Sequence, residues 1–221
     1  MVVDEQVRDP AVGTRRERVR AMMRDEILAA ARHIVKEEGV KRLSMRALGR
    51  AVGVTATTLY DYFPAKEAVL DALYCEGAER LRTELMAAVA STAPGRERLR
   101  AFGGAYRRFA LENPDLYLLI FGRADAAYQP GEAEMLCAHA NFELLVDAVR
   151  GAIACGELRE GDPVAMAHAA WFLAHGFVSL EIGGFMTGAK RKPSLECGSL
   201  DDFFATTMDH LVQGLSPSPA P

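Results

Sequence analysis

The chain lacks the features that would place it in most functional classes. No run approaches the roughly 18 consecutive apolar residues needed to span a bilayer, and no apolar core follows the charges at the N-terminus. Neither membrane insertion nor secretion is therefore expected. Cysteine is scarce: Cys75, Cys137, Cys155 and Cys197 lie far apart, with no CxxC pair and no Cys/His set at ligand spacing. They read as reduced, packing thiols of a cytoplasmic protein, and no metal or cofactor is expected. A nucleophile elbow, a phosphate loop, an HExxH helix and a convincing acid/base pair are all missing, which argues against an enzyme. Runs of alternating β-branched residues are missing too, so a sheet is not expected.

What the chain does have is helical periodicity and an uneven distribution of charge. Half of its 221 residues are apolar, enough for a sizeable core. The net charge is −4, yet Thr14 to Arg50 holds eleven basic and five acidic residues, a local +6 that leaves −10 for the remainder. A basic N-terminal third on an acidic body suits a polyanion-binding head joined to a separate partner domain.

The periodicity predicts an all-α fold of about nine helices. Ile27, Ala31, Ile34 and Val35 mark the inner face of a first helix from about Glu17 to Glu38, with Gly39 at its end. Ser44 is a natural N-cap for a short second helix, Gly53 breaks it, and Thr55 caps a third that Pro64 closes. A long fourth helix runs to about residue 90. Five more are expected over 95–112, 114–122, 131–156, 162–187 and 199–214, punctuated by Asn113-Pro114, Gln129-Pro130-Gly131 and Gly161-Asp162-Pro163. The expected division is a flexible basic arm (1–18), a basic helical head (19–64), a larger helical domain (65–215) and a disordered tail (216–221).

Two short helices joined by a Gly-containing turn, the second one polar outside, describe a helix-turn-helix whose second helix enters the DNA major groove. Thr55, Ala56, Thr57 and Thr58 would stand at its exposed N-terminal end, small enough to approach base edges. Tyr60 and Tyr62 carry phenols suited to phosphate oxygens, and Lys66 adds a charge at the start of the next helix.

The extended string is more specific. Arg24-x-x-Ile27-Leu28-x-Ala30-Ala31, Gly39, Ser44-Met45-Arg46-x-Leu48, Gly53-Val54 and Thr58-Leu59-Tyr60-x-Tyr62-Phe63-x-x-Lys66-Glu67 resemble the DNA-binding domain of the TetR family of bacterial transcriptional regulators. The resemblance implies an all-helical homodimer that binds a palindromic double-stranded operator and is released by a small-molecule effector held in the C-terminal domain. It assigns base reading to Thr55, Ala56, Thr57, Thr58 and Asp61, and phosphate contact to Ser44, Arg46, Tyr60, Tyr62 and Lys66. Two positions depart from the pattern. Gly49 stands where alanine is usual and is expected to loosen the second helix, since glycine costs roughly 1 kcal/mol in a helix interior. Asp61 brings an acid to a helix meant for a polyanion, either accepting from a cytosine amine or repelling wrong registers.

In the C-terminal part, Trp171-x-x-x-His175-Gly176, with Asn113-Pro114 after an earlier helix, resembles the TetR subgroup named for Trp-His-Gly. His168, Trp171 and His175 share one helix face. That face suits either a pocket wall with polar handles or a core histidine beside an interface histidine. Phe102, Tyr106, Phe109, Tyr117, Phe121, Phe142, Trp171 and His175 are the candidate effector pocket. Phe172, Phe177, Leu180, Phe204, Met208 and Leu211 are the candidate dimer seam. The reading is a ligand-released repressor. An activator or effector-independent regulator of the same fold, and a non-specific architectural DNA-binding protein, are the alternatives.

Overall fold

The computed structural model describes residues 14–122, 127–186 and 199–217. Among them are nine α-helices and no strand: α1 (Arg15–Glu38), α2 (Met45–Val52), α3 (Ala56–Tyr60), α4 (Lys66–Ala90), α5 (Arg96–Glu112), α6 (Pro114–Phe121), α7 (Glu132–Ala154), α8 (Pro163–Ile182) and α9 (Leu200–Gly214). A single 3-10 turn, Val40–Arg42, joins α1 to α2.

The chain forms two compact units divided between Leu73 and Tyr74, inside α4. Sequence reading puts the boundary at residue 65. The first two turns of α4 belong to the head because Val69, Leu70 and Leu73 are buried in it. Its core is completed by Ile27, Ala31 and Ile34 of α1, Leu48 of α2, Leu59 of α3 and Phe63. These lie at the spacings that put one face of each short helix inward.

Local chemistry sets the ends of the head helices. Ser44 Oγ accepts from the Ala47 amide at 3.1 Å, and Gly53 closes α2 in the left-handed region at φ 72°. α1 starts earlier than expected. Thr14 and Glu17 form a reciprocal capping box, so Arg15, Arg16 and Arg18, read in the sequence as part of a flexible arm, are helical. Residues 1–13 of that arm lie outside the described residues. Gly49 also corrects an expectation. It is buried, and a Cβ there would come within 2.7 Å of the Val54 carbonyl oxygen. The glycine lets the turn backbone fold tightly over α2, so its propensity cost is offset by a close approach.

The second unit is a bundle in which α8 packs on α5, α7 and α9. By length and composition alone α8 could cross a membrane, contrary to the sequence expectation. Its inward side is nevertheless committed to protein: Met166, Ala167, Ala170, Ala174, Phe177 and Val178 are all buried in the bundle core. Arg107 of α5 bridges two further helices. Its guanidinium donates twice to Glu181 of α8 at 2.7 Å and once to Asp201 of α9 at 2.6 Å, and it also lies over the rings of Phe177 and Phe204. Those hydrogen bonds, led by the Glu181 pair, raise the already high Arg107 pKa.

The cysteines depart most from expectation. Cys75 on α4 and Cys137 on α7 are joined in a disulfide with Cα atoms 5.6 Å apart, rather than standing as separate thiols. Cys155 is free and exposed. Cys197 lies outside the described residues.

Candidate functional site

In the head, α3 presents its N-terminal end to solvent. Thr55 is the N-cap, its hydroxyl accepting from the Thr58 amide at 3.2 Å and lying 3.0 Å from the Thr58 hydroxyl. Thr55 and Thr58 therefore spend part of their hydrogen-bonding capacity on each other. Thr57 is exposed and makes no side-chain hydrogen bond among the described residues. Ala56 is half-buried beside it, and Leu59 is buried beneath. Ser44, Arg46 and Tyr60 are exposed, whereas Lys66 is half-buried in the first turn of α4.

Asp61 and Tyr62 are placed differently from the threonines. Asp61 is the C-cap of α3, at the end opposite Thr55. It lines a groove with Tyr62 and with Arg15, Arg16, Val19 and Arg20 of α1. Arg20 donates to the Asp61 carbonyl at 2.5 Å and lies over the Tyr62 ring, while Arg24 donates to the Tyr62 carbonyl and stacks 4.1 Å over Phe63. Two arginines of α1 thus pin the C-terminal end of α3. Sequence reading counted both among the basic residues of the N-terminal third and took Arg24 as a motif position. Their role as a clamp had no local signal, because each partner is about forty residues away.

The second unit contains a cavity of about 620 Å³, within the range of small-molecule sites. α4 contributes Tyr74, Leu81 and Leu85; α5 contributes Phe102 and Tyr106; α6 contributes Ile120 and Phe121. The remaining wall comes from Asn141, Phe142 and Leu145 of α7 and from His168, Trp171, Phe172 and His175 of α8, among others. Six of the eight expected pocket residues are on this wall. Phe109 is not, since it has no exposed surface and packs in the core. Tyr117 is also behind the wall, where its hydroxyl lies 3.0 Å from His175 Nδ1.

His168 and His175 both line the cavity. Tyr106 Oη lies 2.9 Å from the same His175 Nδ1. Burial raises the Tyr106 phenol far above its ordinary range, and it pushes Tyr117 up to about 12 against a hydrogen bond from Tyr106 that lowers it. Burial also holds His175 below the usual histidine value. The network is therefore uncharged at neutral pH. Asn141, buried on α7, was missed by sequence reading; its signal was an amide between Ala138, Phe142 and Leu145 on an inward face.

The candidate dimer seam is divided by burial. Phe172 and Leu180 on α8 are exposed, at 61% and 51%, and so is Phe203 on α9. Phe177, Phe204 and Met208 are buried inside the unit, and Leu211 is half-buried. Arg107 explains this correction for two of them, since it covers the Phe177 and Phe204 rings from within.

Residues 27–73 match the model of the bacterial regulatory proteins of the tetR family, and residues 99–211 match the tetracyclin repressor-like C-terminal domain. The chain belongs to the TetR family. Members of the TetR family are DNA-binding transcriptional regulators, not enzymes. Among curated TetR relatives, the nucleoid occlusion factor SlmA of Marinobacter nauticus is 30% identical over 140 residues, covering 62% of this chain and 70% of SlmA. An HTH-type transcriptional regulator of Mycobacterium bovis is 26% identical over 157 residues, covering 70% of this chain and 67% of the relative. A Rhodococcus sp. RHA1 structure solved without an assigned function superposes with a TM-score of 0.76 at 29% identity, covering 95% of this chain and all of its own. The ketosteroid regulator KstR2 of Mycobacterium tuberculosis shares the TetR fold at a TM-score of 0.59 and 18% identity, with 89% of this chain and 96% of that one covered.

Proposed function

We propose that the protein is a cytoplasmic, homodimeric repressor that holds a palindromic operator and releases it when a small hydrophobic effector occupies the C-terminal cavity. The observation that carries the reading is the apolar cavity in the second unit, in a chain whose head exposes the N-terminal end of a recognition helix. Thr57 is the leading base-reading residue, with Thr55, Ala56 and Thr58 around it. Ser44, Arg46, Tyr60 and Lys66 hold phosphates, and Asp61 and Tyr62 act at the far end of α3. The effector releases DNA only if it prefers a conformation in which the two heads are wrongly spaced. α4 contributes to the head core through Val69 and Leu70 and to the cavity wall through Leu81 and Leu85, so it is the element through which occupancy reaches the head.

Selection from a randomised duplex library at near-physiological salt tests the DNA arm. An enriched palindrome is expected, with Tyr60→Ala weakening binding by about tenfold, as the loss of one phosphate hydrogen bond per protomer implies. No enriched sequence, with both proteins alike, would overturn the assignment of α3. The SlmA likeness favours a second reading, in which the protein acts on chromosome organisation; many dispersed sites without promoter association would support it. The dimer arm has its own test. A charge at the exposed Leu180 of α8 has no effect on a monomer's core, so Leu180→Glu is expected to leave the melting curve of the second unit intact and to shift the protein to a monomer in analytical ultracentrifugation. Operator binding falls with it, because one short helix reads too few bases alone.

A further inference from the structure

The polar side chains on the cavity wall are few, and those of His175 and Asn141 have a hydrogen-bonding sense that their neighbours set. The phenol oxygens of Tyr106 and Tyr117 both stand within 3.0 Å of His175 Nδ1. Two hydroxyl donors directed at one ring nitrogen assign Nδ1 as the acceptor. A neutral imidazole whose Nδ1 accepts carries its proton on Nε2. His175 Nε2–H makes no hydrogen bond to the described residues and so remains a donor for an occupant.

Asn141 provides the opposite function. Its side chain is buried, its Nδ2 donates to the Ala78 carbonyl at 2.9 Å, and its Oδ1 has no partner among the described residues. A buried carbonyl oxygen with no donor is unfavourable unless something in the cavity bonds to it. Charge completes the constraint. None of the described wall residues is Asp, Glu, Lys or Arg, so an ionised occupant would lose its water and meet no permanent counter-ion, only the histidines His139, His168 and His175.

We propose that the cavity takes an uncharged, ring-bearing molecule that donates a hydroxyl or N–H to Asn141 Oδ1 and accepts from His175 Nε2–H. The proposal rests on the reading of the cavity as the effector site and specifies the chemistry of that effector. Phe102, Phe121, Phe142 and Trp171 supply the aromatic surface on which rings stack.

Calorimetric titration of the full chain with three probes of one skeleton separates the elements of the proposal. The probes are 4-cyclohexylphenol, its methyl ether and 4-cyclohexylbenzoate. The phenol is expected to bind about tenfold more tightly than the ether, which keeps the rings and loses the donor, and the benzoate to bind more weakly than either. Asn141→Leu should bring phenol and ether to the same affinity, and Ala138→Phe should abolish binding of all three by filling the space. Equal affinities of phenol and ether for the wild-type protein would overturn the donor assignment while leaving a ligand site in place. Tightest binding by the benzoate would overturn the requirement for an uncharged occupant. No binding of any probe, or binding that survives Ala138→Phe, would remove the cavity as the effector site and with it the ligand-released part of the function.

Discussion

Arg107→Met is expected to destabilise the C-terminal unit by about 3–5 kcal/mol, seen as a melting temperature lower by roughly 10 °C. Arg107 is 11% exposed at its side chain and Glu181 only 9%, so removing the guanidinium leaves a carboxylate buried without a partner. The Asp201 contact adds little, because that carboxylate is 83% exposed and water replaces what it loses. Adding Glu181→Leu to Arg107→Met should recover most of the loss, since an apolar pair of similar volume has no charge to bury. A single variant that melts with the wild type would show that α5, α8 and α9 do not depend on this ion pair. Methionine retains an apolar stem beneath Phe177 and Phe204, so the comparison isolates the charge and its hydrogen bonds from ring packing.

Loss of the Cys75–Cys137 disulfide should have a similar effect. The bridge spans 62 positions, and closing a loop of that size in the unfolded chain corresponds to about 4 kcal/mol in the chain-entropy model. Urea unfolding of the oxidised protein, of the reduced protein and of the Cys75→Ser, Cys137→Ser double variant is expected to place the last two together at a lower midpoint. The denaturant dependence of the oxidised form should also be shallower, because its cross-linked unfolded chain exposes less surface. Detection of four reactive thiols in the unfolded, unreduced protein would show that the bridge does not form. The bridge also bears on the cavity. Cys75 follows Tyr74 on one wall and Cys137 precedes Ala138 on another, so reduction is expected to weaken probe binding along with stability.

Residues close together in sequence were more legible than residues brought together by folding. Ser44, Gly53 and Thr55 sit where capping chemistry puts them, because a cap is decided within four residues. The periodicity of α5 likewise showed Phe102 and Tyr106 on one face. It could not show that Phe109, on nearly the same face, meets core instead of cavity, since that depends on what stands opposite. The Arg107–Glu181 pair joins residues 74 apart and the disulfide joins residues 62 apart, and neither has a local pattern. Phe177 and Phe204 show the same limit. An apolar stripe on a helix has to be covered, and the stripe alone does not say whether the cover is another helix of the same chain or a second copy. The candidate base-reading residues were named from a helix end, while the commitment of Thr55 and Thr58 to one another needed coordinates.

The chain contains one tryptophan among its 221 residues, and that residue is Trp171 on the cavity wall. Excited at the red edge of its absorption, where tyrosine is dark, the whole protein emits from a single known position. Its indole ring stands 5.9 Å from Phe142 and 6.4 Å from Phe121. Filling the cavity changes the polarity and the quenching around one fluorophore, so the unmodified protein is a built-in optical sensor for any molecule that occupies the cavity. A chemical library can be screened on that signal before any operator is known.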